Sequence, residues 1–283
     1  MRFESIRSLG RPGAFLWLVL SIKPFSYLPA SIDVVLHPSH SAWAVMEGWH
    51  QRSVNRGVRS EFGFSLEGET PAELLVGDYT QVEGFFSGVR SAIDVGATNG
   101  DFTIFLLLRE NVEHVLALEP KPGAYRSLLR NVKLNGCAHR VTALNLAASN
   151  SRGVELFEER GSFFIGVSSG ERAKKPQQVE CIRLDDLVTD TLPDLIKIDV
   201  EGWECRVLSG AHEVIRRASP RILIEVHSKQ LREAVLNYLA PMGYNVLCEK
   251  LNQSRPRVSV LYLARKAAPS RMPVERPSMM RQY

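Results

Sequence analysis

The sequence contains few cysteines, and none of them belongs to a closely spaced pair. The chain of 283 residues has only four, Cys137, Cys181, Cys205 and Cys248, and no C-x-x-C motif occurs. This spacing excludes the usual zinc-finger and thioredoxin-type motifs and makes a disulfide framework unexpected. Isolated thiols are typical of reduced, buried side chains, so we expect a cytoplasmic protein.

A long hydrophobic run is also missing from the N-terminal part of the chain. The apolar stretch AFLWLVLSI, residues 14–22, follows Arg2, Arg7 and Arg11. It is shorter than the roughly 20 residues that cross a bilayer, so it does not predict a membrane span. We expect a helix that docks on the body of the protein. The alternatives are a helix lying at a membrane surface and a cleaved signal peptide.

The body of the chain lacks a strong charge of either sign. The formal net charge is +4, and the segment 265–283, which has five basic residues and Glu275, accounts for all of it. A near-neutral body offers no basic groove, so nucleic acid is not an expected partner. The residues 266–283 contain prolines and no apolar period, which predicts a basic disordered tail.

The phosphate-binding motif G-x-G-x-x-G is absent where a nucleotide fold would have it. The turn DVGATNG, residues 94–100, has glycine only at Gly96 and Gly100, and the next predicted strand ends at Glu119. A carboxylate at that strand end can accept both hydroxyls of a ribose. Because Asp94 and Glu119 would repel a pyrophosphate, a cationic nucleoside such as S-adenosylmethionine fits this turn better than a dinucleotide does.

A regular alternation of strands and helices begins at about residue 91. The predicted strands are SAIDVG, HVLALEP, RVTALNLAAS, LIKIDVE and RILIEVH, and the predicted helices are DFTIFLLLRE, PGAYRSLLRNVKLNG, CRVLSGAHEVIRR and KQLREAVLNYLAPMG. This order predicts an α/β fold with a doubly wound, mostly parallel sheet. The last two runs, YNVLCEK and VSVLYLARK, are too close for a crossover helix and predict an antiparallel hairpin. Ligands of such sheets bind at the carboxyl ends of the strands.

The remaining segments are less regular. GVELFEE and QQVECIRLDDL predict further strands, EFGFSLEGE predicts a strand, and PAELLVGDYTQVEGFF, residues 71–86, predicts a helix. We divide the chain into a partly helical N-terminal extension (1–60), a Rossmann-like domain (61–265) and the tail (266–283). The residues 1–60 and 158–178 depart most from a regular pattern, and we expect them to shape the pocket for the substrate.

Charged residues stand at the ends of two strands that should be neighbours in the sheet. Alternation with period 2 places Lys197, Asp199 and Glu201 on one face of IKIDVEGWE, and Glu225 and His227 on one face of RILIEVH. Lys197, Asp199, Glu225 and His227 are therefore predicted to meet at the carboxyl edge. Either Asp199 or His227 would serve as a general base, and Lys197 would offset the negative charge.

Structural roles are the alternatives for the same side chains. Asp199 and Glu201 can cap the helix that follows, Lys197 and Glu225 can form a buried ion pair, and His227 can bond to the backbone. A divalent metal on Asp199, Glu225 and His227 is chemically reasonable. No sequence feature requires one, so no metal is expected.

Five segments together resemble the FkbM family of S-adenosylmethionine-dependent methyltransferases. They are DVGATNGDFT, LEPKPGAYRSLLRNVKLNG, RLDDL, IKIDVEGWECRVLSGA and RILIEVH, and the resemblance covers roughly residues 80–265. It implies a class I Rossmann-like methyltransferase fold, a seven-stranded and mostly parallel sheet with a C-terminal antiparallel hairpin. It also implies O-methylation of a sugar or other hydroxylated metabolite. The family's first motif usually reads D-V-G-A-N-x-G, and Thr98 replaces its asparagine here.

The resemblance and the strand ends together predict a set of site residues. Those expected to bind S-adenosylmethionine are Asp94, Gly96, Ala97, Asn99, Gly100, Glu119, Pro120, Asn145 and Ala147. Asp199, His227 and Lys197 are expected to be catalytic, and Trp203 and Phe102 either flank the sulfonium or pack in the core. The expected partner is a small-molecule or glycan acceptor. A NAD-type oxidoreductase and a non-catalytic cofactor-binding module are the alternative functions.

Overall fold

A computed structural model describes most of the chain from residue 82 onward. The described residues are 58–59, 65–66, 79–80, 82–160, 163–167, 175–188, 190–251, 258–265 and 274–275. The apolar run at 14–22 and nearly all of the predicted N-terminal extension lie outside these ranges. Within them, no helix has the length and apolar character that a membrane crossing requires.

The described elements follow the predicted alternation from residue 91 to residue 265. The strands are β1 Val58–Arg59, β2 Ser65–Leu66, β3 Val82–Glu83, β4 Ser91–Val95, β5 His114–Leu118, β6 Val141–Leu144, β7 Ala147–Ala148, β8 Gly153–Arg160, β9 Phe163–Gly166, β10 Pro176–Ile182, β11 Leu195–Ile198, β12 Arg221–Val226, β13 Tyr244–Leu251, β14 Ser259–Arg265 and β15 Val274–Glu275. The helices are α1 Asp101–Arg109, α2 Pro122–Leu134, α3 Leu184–Leu187, α4 Glu204–Gly210, α5 His212–Ala218 and α6 Lys229–Leu239, with 3₁₀ turns at Ala138–Arg140 and Ala240–Met242.

The central sheet is mixed, with strand order β13-β14-β12-β11-β4-β5-β6. The strands β12, β11, β4, β5 and β6 are parallel to one another, whereas β14 runs antiparallel to both β12 and β13. The predicted α/β class is confirmed, and the sheet is Rossmann-like. Its central strands are buried, as in β11, where all four residues are buried, because helices cover both faces of the sheet.

Two apolar clusters fill the two faces of the sheet. Adjacent residues of β4 divide between them, because Ala92 packs with α1, α2 and the aromatic side chains of residues 79–86, whereas Ile93 packs with α4, α5 and α6. This is the period-2 alternation of a strand that is buried on both sides. Helix α2 shows the complementary helical period, since Leu128 and Val132 are buried.

Four predicted elements differ from the structure. The strand predicted over QQVECIRLDDL is β10 only as far as Ile182, and its last four residues form helix α3, Leu184–Leu187. The strand RVTALNLAAS is two strands, because β6 stays in the central sheet and β7 pairs with β10 in another. The helix CRVLSGAHEVIRR is two helices that meet at Ala211, where Gly210 packs against the carbonyl of Ser149. The helix predicted over 71–86 is wrong at Val82–Glu83, which is strand β3.

The partner of β3 lies in the predicted disordered tail. Strand β15, Val274–Glu275, pairs antiparallel with Val82–Glu83. These two residues of the tail are therefore ordered in a strand, which corrects the prediction for 266–283 at that point. A strand pair of this length forms through backbone hydrogen bonds and needs no apolar period in the sequence. The other residues of the tail lie outside the described ranges.

A second, four-stranded sheet lies beside the carboxyl edge of the central sheet. Its order is β7-β10-β8-β9, with β7 parallel to β10 and the other two pairs antiparallel. It packs Phe157 and Phe164 against Trp203, which precedes α4. The chain between β6 and β11 thus forms an apolar wall next to the strand ends where a ligand would bind.

Candidate active site

A pocket lies where β4, β5, β7 and β11 end. Its walls come from the residues that follow β4, β5 and β6, from the end of β11 and from the second sheet. The lining residues are Val95, Gly96, Thr98, Leu118, Glu119, Pro120, Lys121, Ala124, Leu146, Ala147, Ala148, Phe157, Phe164, Asp199, Val200, Glu201 and Trp203. The pocket therefore joins the glycine turn, the acidic end of β5 and the charged end of β11 in one space.

The glycine turn after β4 is held against two neighbouring strands. Gly96 has a φ of 79°, and a Cβ on it would lie 1.8 Å from the carbonyl oxygen of Asp199. Only glycine permits both this backbone conformation and this approach. The amide groups of Gly96 and Ala97 donate to the carbonyl of Leu118 at 2.9 and 3.0 Å. The turn is therefore braced between the ends of β11 and β5.

Glu119 is a buried carboxylate in the wall of the pocket. It accepts hydrogen bonds from the backbone amides of Thr98 and Lys121, each at 2.8 Å. Burial raises the pKa of Glu119 to about 7, although these two amides and Lys197 act in the opposite direction. The group is thus poised between its neutral and ionised forms near neutral pH. Its position matches the one predicted for a ribose-binding carboxylate.

Four of the predicted cofactor-binding residues, Gly96, Glu119, Pro120 and Ala147, line the pocket. The other five lie behind its wall. Among these, the Asn145 amide donates to the carbonyls of Glu119 and Pro120, at 2.8 and 2.9 Å. Asn145 therefore supports the end of β5 from outside the pocket.

The remaining residues of the first turn also act behind the wall. Ala97 is buried, the carbonyl of Asn99 accepts from the Asn131 amide at 2.8 Å, and Gly100 packs against Leu128. These contacts anchor the turn to α2. Thr98, which replaces the family's asparagine, lines the pocket itself and has a φ of 50°.

Asp94 and Lys197 form an ion pair under the glycine turn. The Lys197 ammonium lies 3.2 Å from Asp94 Oδ1 and donates to the carbonyl of Gly96 at 2.7 Å. The other carboxylate oxygen of Asp94 accepts from the Thr103 hydroxyl at 2.7 Å. Burial opposes the lysine charge, but the neighbouring carboxylates, Asp94 first among them, raise the pKa of Lys197. Lys197 does not line the pocket, and the ion partner that the structure gives it is Asp94.

Four carboxylates surround one histidine at the ends of β11 and β12. We call Asp199, Glu201, Glu204, Glu225 and His227 the carboxylate–histidine cluster. Nδ1 of the histidine lies 2.6 Å from Glu204 Oε1, and Nε2 lies 3.1 Å from Glu201 Oε2, 3.5 Å from Glu225 Oε1 and 3.6 Å from Asp199 Oδ1. The predicted meeting of Asp199, Glu225 and His227 is confirmed, and their catalytic roles stay predictions.

The environment of His227 favours its charged form in the cluster. Burial disfavours the imidazolium, but Glu201, Glu204 and Asp199 outweigh that effect and raise the pKa of His227 to about 11. The histidine lies behind the pocket wall, whereas Asp199 and Glu201 line it. Asp199 is thus the predicted base that faces the pocket.

Tyr79 is a site residue that the sequence reasoning missed. Its hydroxyl lies 2.9 Å from Asp199 Oδ2 and 2.9 Å from Glu225 Oε2. Burial and the two carboxylates raise the pKa of Tyr79 well above its usual value, so the phenol keeps its proton. The helical spacing of PAELLVGDYTQVEGFF carries no signal that a side chain 120 residues before Asp199 contacts it.

The aromatic wall of the pocket includes two further residues that were missed. Phe157 and Phe164 stack with ring centroids 5.3 Å apart, and Phe157 also contacts Trp203 at 5.6 Å. The Arg206 guanidinium lies over the Trp203 ring at 4.2 Å. Phe102, the second predicted aromatic flank, is buried in the core, where it packs edge-on against Tyr79.

Comparison with known proteins gives one family for the segment that contains this site. A model of the methyltransferase FkbM domain matches residues 94–246. The methyltransferase sdnD of Sordaria araneosa is 25% identical over 211 residues, which cover 62% of this chain and 81% of that protein. A putative methyltransferase of Jannaschia sp. (strain CCS1) is 30% identical over 139 residues, 44% of this chain and 48% of that one.

A solved structure shares the fold. The crystal structure of an FkbM methyltransferase from Methylobacillus flagellatus KT superposes with a TM-score of 0.50 at 21% identity. The match covers 65% of this chain and 49% of that chain. This chain thus spans about half of the length of that protein and of the Jannaschia relative, and the likeness to the structure shows the fold alone.

Proposed function

The chain belongs to the FkbM family of methyltransferases, and from that premise we propose that it transfers the methyl group of S-adenosylmethionine to a hydroxyl of a sugar or small metabolite. The proposed fold class is that of the class I enzymes. One observation carries the proposal, namely that a single pocket connects Glu119 with the carboxylates of Asp199 and Glu201. A nucleoside end and a reactive end therefore share one space.

The charge of the pocket favours a cationic cofactor. Glu119, Asp199 and Glu201 contribute acids to the lining, whereas its basic residue, Lys121, is paired with Glu159 at 2.9 Å. A pyrophosphate would be repelled here, and a sulfonium would be attracted. This balance supports S-adenosylmethionine over the dinucleotide of an oxidoreductase.

The shape of the pocket supports the same assignment for the nucleoside. The buried carboxylate of Glu119 is placed to accept the ribose hydroxyls, and Ala147 and its neighbours Leu146 and Ala148 contribute an apolar surface to the same pocket. A purine ring packs favourably against such a surface. In this arrangement the five predicted residues behind the wall hold the turn in place and do not contact the cofactor directly.

The reaction itself needs alignment and removal of one proton. The acceptor oxygen attacks the methyl carbon, the carbon–sulfur bond breaks with its electron pair staying on sulfur, and the hydroxyl proton passes to a base. Asp199 is the proposed base because it lines the pocket. Lys197 and His227 become positioning residues, since the first holds the Gly96 turn and the second lies behind Asp199 and Glu201.

The decisive experiment compares cofactors and then measures turnover. Calorimetry on the full chain should show binding of S-adenosylmethionine and no tight binding of NAD. A screen of sugars and hydroxylated metabolites, with S-adenosylhomocysteine formation as readout, should then identify an acceptor. Tight binding of NAD without S-adenosylmethionine would refute the proposal. Cofactor binding without methyl transfer to any acceptor would instead favour a non-catalytic module.

A further inference from the structure

We propose that the carboxylate–histidine cluster is a binding site for a divalent cation, with Asp199, Glu201 and His227 as its ligands. The inference rests on the proposed methyl transfer for its chemical role, but the site itself is argued from geometry and charge. It concerns the end of the pocket opposite Glu119, where the acceptor would bind. It also narrows the acceptor to a class of compounds.

The spacing of the donor atoms fits a single cation. The ligand atoms of Asp199, Glu201 and His227 all lie within 4.8 Å of one another. The separations of Nε2 from the Glu201 and Asp199 oxygens are 3.1 and 3.6 Å. Two ligands at right angles, each about 2.1 Å from a cation, are about 3 Å apart. The three groups are therefore close enough together for one cation to bind all of them.

The histidine provides an observation independent of the acids. Its side chain is only 10% exposed, and its buried Nε2 makes no hydrogen bond although it points among three carboxylates. Its other ring nitrogen, Nδ1, is held by the fully buried Glu204 at 2.6 Å. Metal-binding histidines characteristically donate one ring N–H to a carboxylate, which aims the other nitrogen at the metal. Glu204 plays that orienting part here.

The charge of the cluster also favours a divalent cation. Four carboxylates face one charged imidazole, and the nearby Lys197 ammonium is bonded to Asp94 and to the Gly96 carbonyl. Tyr79, which contacts Asp199 and Glu225, contributes a neutral hydroxyl. Burying several carboxylates together is costly unless positive charge accompanies them. A divalent ion between Asp199, Glu201 and His227 would replace the proton on Nε2, which leaves to solvent, and would add one positive charge to the cluster.

The ligand types indicate which ions fit. Two carboxylate oxygens and one imidazole suit Mn²⁺, Zn²⁺ or Fe²⁺, and Mg²⁺ is accommodated through the oxygens. Three protein ligands leave coordination positions open. Because Asp199 and Glu201 line the pocket and His227 lies behind them, the open positions face the pocket. The acceptor can therefore bind the ion directly.

A cation at this point would make it easier to remove the hydroxyl proton of the acceptor. An alcohol holds its proton about as strongly as water does, whereas a free aspartate is a far weaker base, with a pKa of about 3.9. Coordination to a divalent ion lowers the pKa of a bound hydroxyl by several units. With the acceptor oxygen on the ion, its proton would pass to the carboxylate oxygen of Asp199 that does not hold the ion, and the oxygen would form its bond to the methyl carbon as the carbon–sulfur bond breaks. The ion is not consumed. Acceptors with two neighbouring oxygens, such as vicinal diols, would chelate it and be preferred.

Titration of the full-length protein with Mn²⁺, followed by electron paramagnetic resonance, tests the site without any need for turnover. We expect one bound Mn²⁺ per chain. Glu201→Gln, which keeps the size of the side chain and removes its charge, should weaken Mn²⁺ binding on the order of 10–100-fold or more. Glu213→Gln, on the exposed face of α5, is the matched control and should bind Mn²⁺ like the wild type.

Binding of S-adenosylmethionine, measured on the same samples, separates this inference from the proposed function. Intact cofactor binding together with no Mn²⁺ binding at millimolar concentration, or with equal Mn²⁺ affinity in Glu201→Gln, would overturn the metal site alone. Mn²⁺ binding without cofactor binding would instead overturn the proposed function. If Glu201→Gln does not fold, Glu201→Asp provides the same test, since it retracts the oxygen by one methylene and should also weaken Mn²⁺ binding.

Discussion

The backbone of Gly96 touches the backbone of Asp199, so closely that a Cβ on the glycine would lie 1.8 Å from the aspartate carbonyl oxygen. The residue that shapes the cofactor turn and the residue proposed as the base therefore belong to one packed unit. A displacement of either one displaces the other. This contact explains why the two ends of the pocket keep a constant separation, which in-line transfer requires.

Gly96→Ala should be severely destabilising. The alanine must adopt a φ of 79° and must also push away the Asp199 carbonyl, so we expect a loss of about 2–4 kcal/mol in the free energy of unfolding. Urea unfolding measures it. Gly84→Ala is the matched control, because Gly84 has a φ of 73° but no atom within 4 Å of an added Cβ. Equal losses in the two variants would show that the contact with Asp199 does not matter.

Glu119 should couple cofactor binding to pH. Its pKa of about 7 means that it is mostly protonated in mildly acidic buffer, whereas ribose hydroxyls bind its ionised form. S-adenosylmethionine binding should therefore release close to one proton below pH 7 and almost none well above it. Calorimetry in buffers of different ionisation enthalpy measures this release. The proton release should vanish in Glu119→Gln. An unchanged release in that variant would show that Glu119 is not the group that loses the proton.

The raised pKa of Glu119 should also make the stability of the cofactor-free protein depend on pH. A glutamate whose pKa is raised on folding stabilises the native state fully below the unfolded pKa of 4.5 and loses that contribution as the pH rises towards 7. The free energy of unfolding of the wild type should thus fall over this window relative to Glu119→Gln. Denaturant titrations across the window check the sign. If the free energy of unfolding of the wild type instead rose relative to that of the variant, the raised pKa of Glu119 would be contradicted.

Asp199→Asn should bind S-adenosylmethionine with a modest loss of affinity, because one of three lining carboxylates is neutralised, and should lose turnover. The amide keeps the shape of the side chain but cannot take the acceptor proton, so we expect a fall in kcat of roughly 10²–10⁴-fold. Steady-state kinetics with an identified acceptor measures it, and calorimetry measures cofactor affinity. Asp186→Asn, at an exposed position of α3, is the control. Full turnover in Asp199→Asn would exclude the residue as the base.

Lys197→Met should destabilise the protein more than its loss of packing explains. It leaves Asp94 buried without its ion partner, and breaking a buried pair in this way costs about 3–5 kcal/mol. The double variant Asp94→Asn with Lys197→Met should recover part of that loss, because no isolated charge remains. Urea unfolding of the two single variants and the double variant completes the cycle. Additive losses would mean that the two residues are not coupled.

Much of the fold was predictable because its signals are local. The strands β4, β5 and β11 showed short, mainly apolar runs, and the helices between the strands showed the helical period. The two errors near the site, at 71–86 and in RVTALNLAAS, concern segments that change partner. After the four residues of β6 the chain leaves the central sheet, and β7 pairs with β10 in the second sheet. No local sequence pattern indicates which sheet a short strand joins.

The sequence by itself determined the order of strands and helices, the carboxyl edge at which charged residues gather, and the family. These follow from periods of 2 and 3.6 and from motifs that are continuous along the chain. The tertiary structure alone decided that Lys197 pairs with Asp94, that Tyr79 joins Asp199 and Glu225, and that His227 Nε2 points among carboxylates. Alternation gives the face on which a side chain lies, but its partner and its depth depend on contacts between residues that are distant in the sequence.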